Sequence, residues 1–253
     1  MESVSYHLDD RSTGPIAVIH LDRPDRLNAV DVGLTRGLVE ALRRAGRDGA
    51  QAVVLAGRGR SFCAGHDLKA EPLEETPLQA RERLEEIHDV TRLIRRLPAP
   101  VIAAVHGYAL GAGAEFALAC DVVVAAEDAS FGFPEVSVGL SVTGGISKLL
   151  PALVGWAKAK ELLLLGERVS GRRAAEIGLV ARAVPAGEHE TVALDLAARM
   201  AQRPALALSL AKQTLDHGLD STVEGAMARE TENALLTALS GENDAPREQF
   251  NRD

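Results

Sequence analysis

The chain has 253 residues, enough for one large domain with a sizeable core. Its net charge of -8 and sequence pI near 5.4 exclude a basic face for nucleic acid, because neutralising phosphates takes clustered Lys and Arg. Hydrophobic residues make up 46% and aromatic ones only 3%, so the interior is built from Val, Leu, Ile and Ala rather than rings.

The opening MESVSYHLDD has neither the basic start nor the apolar run of a secretory signal, which predicts a cytoplasmic protein. Ile16 to Leu21 reads as a buried strand, and Leu34, Leu38, Ala41, Leu42 and Ala45 recur at helical spacing after it. A second strand, Ala52 to Ala56, runs into a glycine turn, SFCAGHDLK, at Ser61 to Lys69. The acidic, proline-flanked EPLEETP at Glu71 to Pro77 predicts a mobile loop. A helix over Leu84, Ile87, Thr91, Ile94 and Leu97 follows, stopped by Pro98. Strands at Val101 to Val105 and Val122 to Ala126 flank a glycine-rich turn and an alanine-rich helix, and this alternation predicts an α/β sheet.

The longest stretch without Asp, Glu, Lys or Arg, Leu97 to Ala114, holds prolines, glycines and His106, so no membrane span is expected. Cys63 and Cys120 lack neighbours at metal-ligand spacing and read as buried free thiols. The Arg43-Arg44 and Arg95-Arg96 doublets fall within helical patterns and read as solvated helix faces.

After Pro151 the apolar recurrence is helical almost throughout, interrupted by a strand-like Gly178 to Val184. Ala207, Leu210, Ala211, Thr214 and Leu215 form one stripe. Val223, Ala226, Met227, Ala234, Leu235, Ala238 and Leu239 form another. Such helices bury their stripes either on their own core or on a neighbouring subunit. The closing GENDAPREQFNRD is expected to fray.

Chemistry concentrates in VIAAVHGYALGAGAEFALACD, Val101 to Asp121. A strand, a glycine turn and a helix start leave backbone N–H groups pointing outward, ready to bind negative charge. The turn lacks the third glycine of a dinucleotide fingerprint, and Glu115 would repel a pyrophosphate there. Glu115 interrupts an apolar run, where an unpaired carboxylate is expensive to bury. Standing three residues after Ala112, it can address the same ligand as the Ala112 N–H. Burial would raise its pKa and the helix N-terminus would lower it, with the net sign open. Taken alone, it also fits a surface-facing glutamate stabilised by the helix dipole. FGFPEVSVGLSVTGG at Phe131 to Gly145 places Glu135 between a proline and a further glycine turn, where a solvated loop carboxylate is the simplest reading.

Taken together, FCAGHDLK at 62–69, HGYALGAGAEFALACD at 106–121 and FGFPEVSVGL at 131–140 resemble the crotonase, or enoyl-CoA hydratase/isomerase, superfamily. The likeness runs from LDRPDRLNAV near residue 21 through ERVSGRRAAEIGLV at 167–180 to the helical tail. It implies a spiral of repeated ββα units over residues 1–185 carrying the acyl-CoA site. Residues 186–253 would form a helical region that builds homotrimers, often paired into hexamers.

The resemblance also implies an oxyanion hole from the backbone N–H groups of His66 and Ala112, with Glu115 and Glu135 as the catalytic acids. Coenzyme A would run past Arg26, Leu27, Ala64, Asp67, Leu68 and Lys69. No metal, flavin or nicotinamide is implied, since coenzyme A arrives as part of the substrate. Two acids favour hydration of a 2-enoyl-CoA, and the alternatives are isomerisation by Glu115 alone or acyl-CoA binding without turnover.

Three departures from the superfamily pattern stand out. After Glu135 the turn reads GLSVTGG, without the usual proline-glycine-alanine run and one residue shorter. His66 replaces a small residue; its side chain either approaches the substrate or points into solvent, and the second is the simpler reading. The C-terminus lacks an aromatic-plus-basic ending.

Overall fold

The computed structural model describes residues 3–11, 14–70 and 74–241. The chain enters on β1 (Val4–Arg11), whose Val4, Tyr6 and Leu8 lean on the core, and β1 pairs antiparallel with β2 (Gly14–Leu21). α1 (Val32–Arg47) follows, N-capped by Asp31, whose carboxylate accepts the Leu34 N–H at 2.7 Å. α1 buries Leu34, Leu38, Ala41, Leu42 and Ala45, the stripe its sequence predicts. The next turn is β3 (Ala52–Gly57) and α2 (Pro77–Arg96), whose start carries a Thr76/Gln79 capping box with Pro77 in the first turn. The third is β4 (Val101–Val105), β5 (Tyr108–Leu110) and α3 (Ala112–Ala119).

β6 (Val122–Ala126) and β7 (Ser130–Gly132) repeat the strand pair, followed by α4 (Ile146–Val154) and α5 (Trp156–Leu165). β8 (Arg168–Ser170), α6 (Gly171–Glu176) and β9 (Arg182–Val184) close the spiral. Among the described residues six strands form one sheet, ordered β1-β2-β3-β4-β6-β9 and parallel from β2 onward. β5, β7 and β8 form a second sheet. Isolated bridges Cys63↔Ala109 and Val30↔His66 extend that second layer towards the earlier turns. Each turn therefore sends a strand to the large sheet and a strand or a single bridge to the small one, then a helix. This is the repeated ββα unit that the family resemblance implied.

Both faces of the large sheet are buried, which is why its strands read as unbroken aliphatic runs. Ala17, Ile19, Val53, Leu55, Ala103 and Val105 face the helices α1 to α3, while Ile16, Val18, Val54, Ile102 and Val124 face the other way. That second face is covered by Ala193, Leu196, Ala197 and Ala201 of α7 (His189–Ala201). Although α7 follows residue 185, it packs on the sheet.

Beyond α7 run α8 (Ala205–Gly218) and α9 (Val223–Leu239). Their stripes are largely uncovered within this chain: Leu215 is 77% exposed and Leu239 85%. α8 is pinned by Lys212, whose ammonium donates to Asp121 Oδ2 at 2.8 Å and to the carbonyls of Ile94 at 2.7 Å and Ala99 at 3.1 Å.

The segment Gly178 to Val184 narrows to the three residues of β9, because a turn at Gly178, φ +76, and bends over residues 179–181 take up what precedes it. Of the loop expected over 71–77, residues 74–76 form the approach to α2 and residues 71–73 lie outside the described residues. So do residues 242–253, and with them the expected fraying and the C-terminal ending. Cys63 and Cys120 are free and buried, and burial pushes the Cys63 thiol up to about 12. No helix among the described residues is long and apolar enough to cross a membrane.

Candidate active site

The site is built where β5 hands over to α3. Gly111 holds φ 52 and ψ -125, a conformation that L side chains avoid, and so the chain turns from strand to helix in one residue. Gly113 has no room for a side chain, since a Cβ there would lie 2.4 Å from the Cys63 carbonyl oxygen. The first turn of α3 is thereby pressed onto the 63–66 loop. At the same contact a Gly65 Cβ would meet the Leu110 carbonyl oxygen at 2.7 Å. The loops carrying His66 and Ala112 are therefore backbone neighbours.

Both amides of interest are left over by the fold. Ala112 is the first residue of α3, and a helix has no internal acceptor for its first N–H groups. Around His66, the Gly65 carbonyl accepts the Val30 N–H at 2.8 Å and the Asp67 N–H donates to the Val30 carbonyl at 3.0 Å. In a parallel bridge those neighbours point one way and the intervening His66 N–H points the other. Among the described residues no backbone acceptor takes either N–H.

Two carboxylates close the site. Glu115, one turn into α3, is 1% exposed, and so the surface-glutamate reading is excluded. Its Oε1 accepts the Thr143 N–H at 2.7 Å and its Oε2 accepts the Thr143 hydroxyl at 2.5 Å. Glu135 is 6% exposed in the 3-10 turn Pro134–Val138, where a solvated loop carboxylate had been the simplest reading. Its Oε1 lies 2.8 Å from where a Gly111 Cβ would stand, directly at the strand-to-helix turn. Its Oε2 is buried with no hydrogen-bond partner.

Burial holds the Glu115 carboxyl above its ordinary range; the Thr143 hydrogen bonds pull it back and the nearby Glu135 charge adds to the rise. The sign left open by the sequence is therefore set by desolvation. Burial raises Glu135 too, against a lowering bond from its own backbone.

The other predicted residues form a rim. The Ala64 N–H donates to the Leu27 carbonyl at 3.0 Å, joining the two loops, while Arg26, Leu68 and Lys69 are exposed along it. Asp67 is engaged within the protein: Arg23 reaches its Oδ2 at 3.1 Å and the Lys69 N–H its Oδ1 at 3.2 Å. His66 is half-buried. It lines a cavity of about 410 Å³ between α1 and α2, with Val30, Thr35, Leu68, Arg83 and Ile87, and burial lowers its pKa.

The family model described as enoyl-CoA hydratase/isomerase matches residues 11–247. The chain belongs to the enoyl-CoA hydratase/isomerase family. It is an enzyme of that family. It is 36% identical over 237 residues to the 2,3-dehydroadipyl-CoA hydratase of Escherichia coli, covering 90% of this chain and 88% of the relative. To the short-chain-enoyl-CoA hydratase of Clostridium acetobutylicum it is 34% identical over 221 residues, covering 87% and 84%. The crystal structure of an enoyl-CoA hydratase from Bacillus anthracis superposes with a TM-score of 0.89 at 31% identity, over 98% of this chain and 96% of that one.

Within this hydratase/isomerase scaffold three supporting residues escaped the sequence reading. Thr143 holds Glu115, as given above. Asn28, fully buried at φ 54, donates to the carbonyls of Arg58 at 2.9 Å and Ser61 at 2.8 Å and accepts the Arg23 N–H at 2.7 Å. Arg23 bridges Asp31 and Asp67 at 3.0 and 3.1 Å. Only the LNA triplet after a charged turn hinted at Asn28, since Asn tolerates positive φ.

Proposed function

We propose that the protein adds water across the double bond of a 2-enoyl-CoA thioester to give the 3-hydroxyacyl-CoA. The observation that carries this reading is the meeting of two buried carboxylates, Glu115 and Glu135, at the turn that presents the Ala112 N–H. Isomerisation needs one group to carry a proton between carbons, and a second buried acid beside the first would be a pure desolvation cost. Hydration uses both.

The thioester oxygen binds between the His66 and Ala112 amides, and negative charge gathers there as C3 is attacked. Loss of one such donor typically costs about 3 to 4 kcal/mol of transition-state stabilisation. Glu115, with a donor on each oxygen, is held as the carboxylate and takes a proton from water as the water oxygen bonds to C3. Glu135, whose buried Oε2 is not held by a donor of the protein, is the proton carrier of the pair and delivers its proton to C2. One water is added, and proton exchange between the acids resets the pair.

Coenzyme A lies along the rim of Arg26, Leu27, Ala64, Leu68 and Lys69, with the two exposed cations available to its phosphates. Asp67 supports that rim through Arg23. The active form is a homotrimer or a pair of trimers, in which α8 and α9 lay their exposed Leu215, Val223, Leu235 and Leu239 on other copies.

Steady-state hydration of crotonyl-CoA tests the reading. Glu115→Gln and Glu135→Gln are each expected to lower kcat by about a hundredfold or more. If Glu135→Gln hydrates normally while Glu115→Gln is dead, the two-acid mechanism is wrong and isomerisation by Glu115 takes its place. Calorimetric binding of enoyl thioesters without turnover of any would instead point to a non-catalytic acyl-CoA carrier.

A further inference from the structure

Thr143 sits in the shortened turn that follows Glu135, at the point where this sequence departs from the superfamily pattern. Three elements fix it there. From α2, the buried Thr91 hydroxyl donates to the Gly144 carbonyl at 2.9 Å. From α4, the Ile146 N–H donates to the Thr143 carbonyl at 3.0 Å. From α3, Glu115 accepts both the N–H and the hydroxyl of Thr143. Gly144 leaves no slack, because a Cβ there would lie 3.1 Å from Glu115 Cβ and 3.2 Å from Oε2. The turn is therefore a rigid bracket behind the Glu115 carboxylate, with one donor on each oxygen.

The two bonds are not equivalent. The main-chain bond survives any substitution that keeps the turn, whereas the hydroxyl bond belongs to this residue type alone. Without it Oε2 would be buried beside Gly144 with no donor, and the carboxylate would be free to rotate or to hold a proton.

We propose that the Thr143 hydroxyl is a positioning residue: it keeps Glu115 ionised and oriented as the base, with Glu135 left as the acid. The inference rests on the hydration reading for its catalytic meaning. The titratable group that faces Glu115 is Glu135, which opposes ionisation of Glu115 whenever it is itself ionised, so the hydroxyl works against burial throughout and against that repulsion in the doubly ionised state.

Thr143→Val removes the hydroxyl at nearly constant shape, and Thr143→Ser restores it. In crotonyl-CoA hydration, Thr143→Val is expected to lower kcat roughly tenfold at pH 6, with KM changed less than about twofold and the acidic limb of the pH profile moved to higher pH. Thr143→Ser is expected to recover to within about threefold of the parent. In parallel, isotope-edited infrared spectroscopy follows protonation of the Glu115 carboxyl, assigned by difference from Glu115→Gln. It needs no turnover, and its midpoint is expected to rise in Thr143→Val and return in Thr143→Ser. Should Thr143→Val fail a circular dichroism check of folding, Thr143→Ala serves in both measurements. Unchanged infrared midpoints across the series overturn the proposal. If the midpoints shift as expected but no variant or parent hydrates any enoyl thioester, the hydration reading fails and the hold of Thr143 on Glu115 stands.

Discussion

Glu115 and Glu135 are placed at a cost to the fold. Each carboxyl is held above its ordinary value of 4.5, chiefly by burial, so each binds a proton more readily folded than unfolded. A carboxylate with a raised folded pKa destabilises the protein at pH values above that pKa. As pH falls through the raised value the native carboxyl takes up its proton and the penalty is relieved. Glu115→Gln and Glu135→Gln should therefore melt at higher temperature than the parent at pH 8. The gap should narrow as pH is lowered towards 4.5. Thermal melts across that range check the sign; a Gln variant less stable than its parent at pH 8 would contradict it. The expected pairing of higher stability with lost activity is the trade-off of a site arranged for chemistry rather than for folding. At this scale Glu115 was legible, because a Glu in an apolar run demands a reason, whereas Glu135 was singled out only through the family resemblance. Thr143 was not legible: a hydroxyl in a glycine turn is ordinary in sequence, and its value comes from a carboxylate 28 residues earlier.

The elements that could be read were those whose burial is continuous along the chain. β2, β3, β4 and β6 are covered on both faces, and α1 and α2 carry regular stripes. β5, β7 and β8 are only three residues long, too short for any periodicity to register, and the earlier turns of that layer are single bridges. β1 is an edge strand whose polar positions, Ser5, His7 and Asp9, weaken its apolar signal. α8 illustrates a further hidden feature, since its buried anchor is a charged residue.

Lys212 fills three acceptors, and Asp121 also accepts the Val101 N–H at 2.6 Å. Lys212→Met should cost about 2 kcal/mol, because it leaves the Ile94 and Ala99 carbonyls without their donor and Asp121 without its counter-charge, while the partly exposed Asp121 keeps the Val101 N–H. Urea unfolding measures this, and a loss below about 1 kcal/mol would mean that water replaces the ammonium. The double variant with Asp121→Leu should recover part of the loss, since removing both charges leaves less to satisfy.

For the whole molecule, the uncovered apolar residues of α8 and α9 set the expectation. Leu215, Val223, Leu235 and Leu239 are 77%, 75%, 60% and 85% exposed, and a cluster of large apolar side chains left in water is the mark of an interaction surface. Light scattering coupled to size exclusion should return three or six times the chain mass of 26.8 kDa. Leu235→Glu together with Leu239→Glu should shift the population to smaller species, and a parent that elutes as a single chain would remove the assembly reading.

The thioester clasp proposed for the 66 and 112 amides has a bearing on how such a protein can change. Main chain is common to every amino acid, so no single codon replacement deletes that clasp, although a bulky one can obstruct it. The acids at 115 and 135, and the hydroxyl at 143, can each vanish in one step. Under that proposal, substitution in a chain of this kind would keep its hold on the same handle while trading one reaction for another.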